Sequence, residues 1–181
     1  MAITGKLNGK AGTFRAEDFT PTKWATAEEK AKVANKLTRF ILGGFQQVSF
    51  TKMIYKRLSN MFGHTAHYDI HGFYNTWFAD IRSCHNWVEH ITSSWLSGLG
   101  DPKFTWSDAE KALVQWLKDN HIAEQLDGLY QLDVEQKELA ALHVLHQKYA
   151  SQKAQHQLEE ETYGVMEVPA SQTTDIQLPL I

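Results

Sequence analysis

The sequence predicts an all-α protein, a single compact bundle of about five helices with a disordered C-terminal tail. Three observations predict it. Apolar residues recur every three or four positions in successive segments, the period of a helix with one buried face. Two capping boxes, Thr26 with Glu29 and Ser107 with Glu110, open such segments. No alternation of apolar and polar residues is strong enough to require a sheet, and no internal repeat is present.

Residues 1–25 carry Gly5, Gly9, Gly12 and Pro21 without a sustained period, and predict an irregular basic arm. A helical domain follows over 26–163. Its first helix runs from Ala27 through Val33, Leu37, Phe40 and Ile41, and Gly43-Gly44 ends or bends it. Phe50, Met53, Ile54, Leu58 and Met61 outline the second, whose other face shows Lys52, Lys56 and Arg57. Steps of three or four from His67 and His71 through Tyr74, Phe78, Ile81, His85, Val88 and Thr92 to Trp95 predict one long helix over about 66–97. Gly98 to Pro102 is a break. Ser107 then opens a helix through Leu113, Trp116 and Leu117, extending toward Leu126. Asp133 is the expected cap of the last helix, which carries Leu139, Leu142, Leu145 and Tyr149 and ends in polar turns. From Gly164 to Ile181 two prolines and many small polar residues predict the disordered tail.

A chain of 181 residues, 43% apolar and 22% charged, is long enough to bury a real core. The single Cys84 excludes an intramolecular disulfide and fits a reducing compartment. No apolar run approaches the roughly 20 residues that cross a bilayer, and the N-terminus lacks a secretory apolar segment. A cytoplasmic protein without a membrane partner is expected. The net charge of −3 hides an asymmetry: residues 1–65 hold 11 basic against 4 acidic side chains, and the rest hold 7 against 17. Such a division points to an acidic partner for the N-terminal part, nucleic acid among them, or to faces that complement each other within the fold. Lys32, Lys36 and Arg39 on the first helix, with Lys52, Lys56 and Arg57 on the second, are spaced to share a face in each group.

The stretch from Phe62 to Phe78 raises the question of a metal. His67 and His71 stand at the spacing that puts two imidazoles one helical turn apart, and His64 lies one turn earlier. Against a metal site stand the lack of an adjoining glutamate, the lack of a Cys-x-x-Cys, and a stripe that continues into Tyr74 and Phe78 as core. Structural histidines and no cofactor are the main expectation; a small metal-dependent hydrolase or nuclease built on His64, His67 and His71 is the alternative. Other chemistry is poorly served. Cys84 and His85 are adjacent, so on a helix they diverge by about 100° and make no nucleophile–base pair. Neither a Gly-x-Ser-x-Gly elbow nor a phosphate-binding loop is present.

The last five residues, Gln177-Leu178-Pro179-Leu180-Ile181, resemble the bacterial sliding-clamp-binding motif. That motif has a glutamine, then Leu, a variable residue, Leu and a bulky apolar residue, in many proteins on a flexible terminus. Ile181 stands where the motif prefers Phe or Leu. The resemblance covers five residues and implies nothing about the body. It implies that Gln177 fixes the peptide through its amide while Leu178, Leu180 and Ile181 fill an apolar pocket of the clamp. Together with the basic N-terminal region it points to a non-enzymatic accessory protein of bacterial, phage or plasmid DNA replication or repair. Such a protein would be recruited to the clamp by its tail and would bind nucleic acid or a protein through its body.

Overall fold

In the computed structural model, residues 6–67 and 69–163 are described. The clamp-like peptide and the rest of 164–181 lie outside them. The described residues are all helical, with six α-helices, three short 3-10 turns and no strand. The chain divides into two units, Met1–Val134 and Glu135–Ile181.

In the first unit, α1 (Ala27–Leu42) starts as its sequence requires. Thr26 accepts from the Glu29 amide at 3.2 Å while the Glu29 carboxylate accepts from the Thr26 amide at 3.0 Å. It ends in a Schellman motif. Gly44 takes a left-handed backbone with φ 79, its amide donates to the Ile41 carbonyl, and the Phe45 amide donates to the Phe40 carbonyl. Glycine is required there because that backbone crowds a Cβ. α2 (Lys52–Met61) is capped by the Thr51 hydroxyl, which accepts from the Ile54 amide.

The predicted helix over 66–97 is instead two helices, α3 (Ile70–Trp77) and α4 (Ile81–Ser93). Two aspartates divide it. Asp69 accepts from the amides of His71 and Gly72, both at 2.8 Å, and Asp80 accepts from the Ser83 amide at 2.7 Å. Aspartate competes for backbone donors and so favours caps over helix interiors. Periodicity missed the break because buried residues continue on both sides of it, from Phe73, Tyr74 and Phe78 to Cys84, Trp87, Val88 and Ile91. Trp95, expected on the buried stripe, is exposed beyond the end of α4.

α5 (Ser107–Asp119) begins without the expected capping box. Ser107 is already helical; its hydroxyl donates to the Gly100 carbonyl at 2.8 Å, and Glu110 accepts from the Gly98 amide at 2.6 Å. Both side chains hold the preceding loop rather than the helix. His121, with φ 51, separates α5 from α6 (Ile122–Tyr163). Leu126 therefore belongs to α6, and Asp133 lies within it instead of capping it.

α1 packs against α2 and α5, α2 against α3 and α5, and α4 against α3 and α5. At the centre, the rings of Phe40, Phe45, Phe50, Phe78 and Trp87 meet at centroid distances of 5.1 to 6.2 Å. Such edge-on and tilted pairs stabilise beyond the area they bury. The N-terminal arm is irregular, yet it is fastened along its length. Leu7 and Phe19 are buried, Phe14 exchanges two hydrogen bonds with the Asn35 side chain, and the Trp116 indole donates to the Lys10 carbonyl.

Candidate nucleic-acid interface

On α1 the core side takes Val33, Ala34, Leu37, Phe40 and Ile41, which turns Lys32, Lys36 and Arg39 to solvent on the opposite side. The three are spaced four and three residues apart, one turn each. Glu28 and Glu29 of the first turn share that side and belong to its N-terminal end, where acidic side chains complement the helix dipole. On α2, burial of Ile54, Leu58 and Met61 leaves Lys52 and Lys56 exposed one turn apart. Among the described residues, none of these five cations lies within ion-pair distance of an acidic group.

Arg57 does not share that exposure. It is half-buried, and its guanidinium carbon stands 4.7 Å from the centroid of the Trp106 ring. There it lines a cleft of about 460 Å³ together with Trp24, Asn60, Phe104, Trp106 and Glu110. Trp24 is 73% exposed and Phe104 is 69% exposed, and the Lys23 ammonium lies 5.7 Å from the Trp24 ring centroid. Cations against ring faces, beside rings open to solvent, make a surface suited to flat, anionic ligands.

A buried charge holds this cleft's wall. Lys30, fully buried, donates to the carbonyls of Pro102 and Thr105 and to the Asp108 carboxylate at 3.1, 2.9 and 2.8 Å. All three ammonium protons are used, so Lys30, although basic, is unavailable to a ligand. The second oxygen of Asp108 accepts from the Thr20 amide at 2.8 Å, tying the arm to the same point. Burial pushes the Glu110 carboxyl up to about 7, against the opposing hydrogen bond from the Gly98 amide. That carboxyl is therefore partly protonated near neutrality.

The histidines do not assemble as their spacing suggested. His67 precedes α3 and so does not share its face with His71, which is exposed in the first turn. The His67 ring lies over Gly72, where a Cβ would clash with it. His64 pairs with His90 instead, at 5.1 Å between ring centroids, and His90 stacks on Trp77 at 5.7 Å. Burial, with a smaller contribution from His90, lowers the His64 pKa. Among the described residues, no three His, Cys, Asp or Glu side chains converge as metal ligands. Burial also raises the pKa of Cys84 far above the range of a reactive thiol.

Comparison of the chain with family models, with curated proteins and with solved structures finds no match. No helix of the described residues is long and apolar enough to cross a membrane. Trp24, Phe104 and Trp106 carry no periodic signal, because all three precede a helix or stand in a loop. Their one signal is composition: large rings in segments with no core to enter, two of them in Lys23-Trp24 and Lys103-Phe104 pairs.

Proposed function

We propose that the chain is a non-enzymatic accessory protein of bacterial, phage or plasmid DNA replication or repair. In this reading its helical body holds nucleic acid and its C-terminal tail holds the sliding clamp. The observation that carries the first half is the row of Lys32, Lys36 and Arg39, one turn apart, exposed and without acidic partners among the described residues. Lys52 and Lys56 add a second pair. Each phosphate neutralised releases counterions, so affinity is electrostatic and has little sequence preference. Trp24 and Phe104 beside Arg57 favour single strands, whose unpaired bases are free to stack on open rings.

The second half rests on Gln177, Leu178, Leu180 and Ile181, which match the clamp motif in sequence and lie outside the described residues. Two titrations test the two halves separately. Fluorescence anisotropy with a single-stranded oligonucleotide at low salt is expected to show binding that weakens steeply as salt rises. Lys32→Glu with Lys36→Glu abolishes that binding, and Trp24→Ala weakens it for single strands more than for duplex. No binding at low salt, or binding indifferent to the lysine changes, overturns the nucleic-acid reading. A peptide of residues 171–181 titrated into purified clamp is expected to bind in the micromolar range, and replacing Leu178 and Leu180 by Ala abolishes it. No heat at tens of micromolar leaves the pentapeptide a coincidence.

A further inference from the structure

The second unit holds an apolar surface that nothing in the chain's described residues covers. Leu139, Leu142, Leu145 and Tyr149 of α6 are 50 to 65% exposed. With Ala150, His146 and Lys153 the last three line a shallow groove of about 420 Å³. Positions 135, 139, 142, 146, 149 and 153 step by four, three, four, three and four, the seam of a two-stranded coiled coil. In proteins, burial of an apolar side is the usual source of a helix's stability.

We propose that this stretch of α6 pairs antiparallel with the same stretch of a second copy of the chain. The sequence of the seam selects both the occupant and its direction. Reversed about Val144, Leu139 meets Tyr149, Leu142 meets His146 and Glu135 meets Lys153, with every pair occurring twice by symmetry. Leu145 flanks the seam at its centre and closes over the axis. A parallel pair in register sets Glu135 against Glu135 and Lys153 against Lys153 instead, like charges on both ends. The 19 residues from 135 to 153 span about 27 Å, so each copy presents one continuous apolar strip between an acidic and a basic end.

Sedimentation equilibrium of the full chain, over concentrations from about 1 to 100 µM, tests this. The mass is expected to rise from 20.7 kDa toward twice that value. Leu142→Glu keeps a good helix former at an exposed position and is expected to hold the mass at the single-chain value throughout. Glu135→Lys sets Lys against Lys in both symmetric pairs and weakens association by about three- to tenfold. Adding Lys153→Glu to that variant restores it, because the swapped charges again face each other. A wild-type chain that stays at 20.7 kDa at every concentration overturns the proposal, as does association that survives Leu142→Glu. Glu135→Lys without effect, or a double variant no tighter than the single one, overturns the antiparallel register.

Discussion

Two regions of the first unit are held by different physics. Around α3 and α4 the centre is a set of rings, Phe40, Phe45, Phe50, Phe78 and Trp87, packed edge to face. Around the loop from Gly98 to Ser107 the centre is polar: a buried lysine, the Asp108 carboxylate, the Ser107 hydroxyl and the Glu110 carboxyl, each bonded to loop backbone or to another of the set. The loop carries Leu99, Phe104 and Trp106 toward the cleft and has few apolar residues of its own to bury. Its shape is therefore specified by hydrogen bonds. The ring centre should answer to volume, and the polar centre to charge and pH.

The largest expected effect comes from removing a ring. Phe78→Ala empties a fully buried site touching Phe40, Phe45, Phe50, Phe73 and Trp87, and should cost about 4 kcal/mol in denaturant unfolding. The loss should be nearly the same at pH 5 and pH 8, since the titratable ring in that contact, Tyr74, has its pKa raised by burial above the ordinary tyrosine value and stays neutral across that window. Lys30→Met should cost about 3 kcal/mol by a different route, taking the ammonium donor from two carbonyls and the counter-charge from the Asp108 carboxylate. The control is Asp108→Asn on top of Lys30→Met. If the charge left behind is the cause, the double variant loses less than the two single losses combined; a purely additive result would mean that Lys30 acts by packing alone.

Much of this contrast was legible in the sequence on one side only. Phe40, Phe50 and Phe78 of the ring centre stood in apolar steps of three and four, and the glycine end of α1 followed from local rules. Phe45, in the turn after α1, and Trp87, off the expected stripe, did not. The polar centre was not legible. Ser107 and Glu110 formed a good capping box on paper, and Lys30 counted toward the basic half, because a sequence shows residue types and not the distant carbonyls they reach. Lys30 finds its partners at Pro102, Thr105 and Asp108, more than 70 positions away. The candidate site divides the same way. Lys32, Lys36, Arg39, Lys52 and Lys56 are exposed as their helical spacing implied, whereas the fold turns Arg57 aside to a tryptophan from the loop.

Glu110 sharpens the comparison through pH. Its carboxyl titrates near 7 in the folded chain and near the ordinary carboxylate value once unfolded. Below the ordinary value both states are protonated and there is no penalty. As pH rises toward 7 the unfolded state gives up its proton first, so stability falls across that window and is level above it. Glu110→Gln keeps an oxygen to accept from the Gly98 amide and removes the charge. It should raise stability at pH 8 by about 2 kcal/mol and leave it unchanged at pH 4. A gain of equal size at both pH values would separate the effect from ionisation.

The smallest effect concerns the break that periodicity missed. Asp80 sits in extended backbone between α3 and α4, and its carboxylate accepts from the Ser83 amide at 2.7 Å. That hydrogen bond, foremost among its causes, lowers the Asp80 pKa. Asp80→Ala should therefore cost about 1 kcal/mol at neutral pH, a fall in melting temperature of about 3 °C for a unit of this size. Asp80→Ser, whose hydroxyl can also cap, should recover most of it. The sign of the pH dependence is opposite to that of Glu110. A depressed pKa contributes stability above the ordinary carboxylate range and loses it as pH falls through the folded value, so wild type and Asp80→Ala should converge in acid. The two helices stay separate in the variant, because Phe78 ends α3 with its side chain locked among six other rings of the core and cannot follow a straightened backbone. Far-ultraviolet circular dichroism of Asp80→Ala should accordingly show no gain in helix; a gain would mean that the cap, and not the ring packing, keeps α3 and α4 apart.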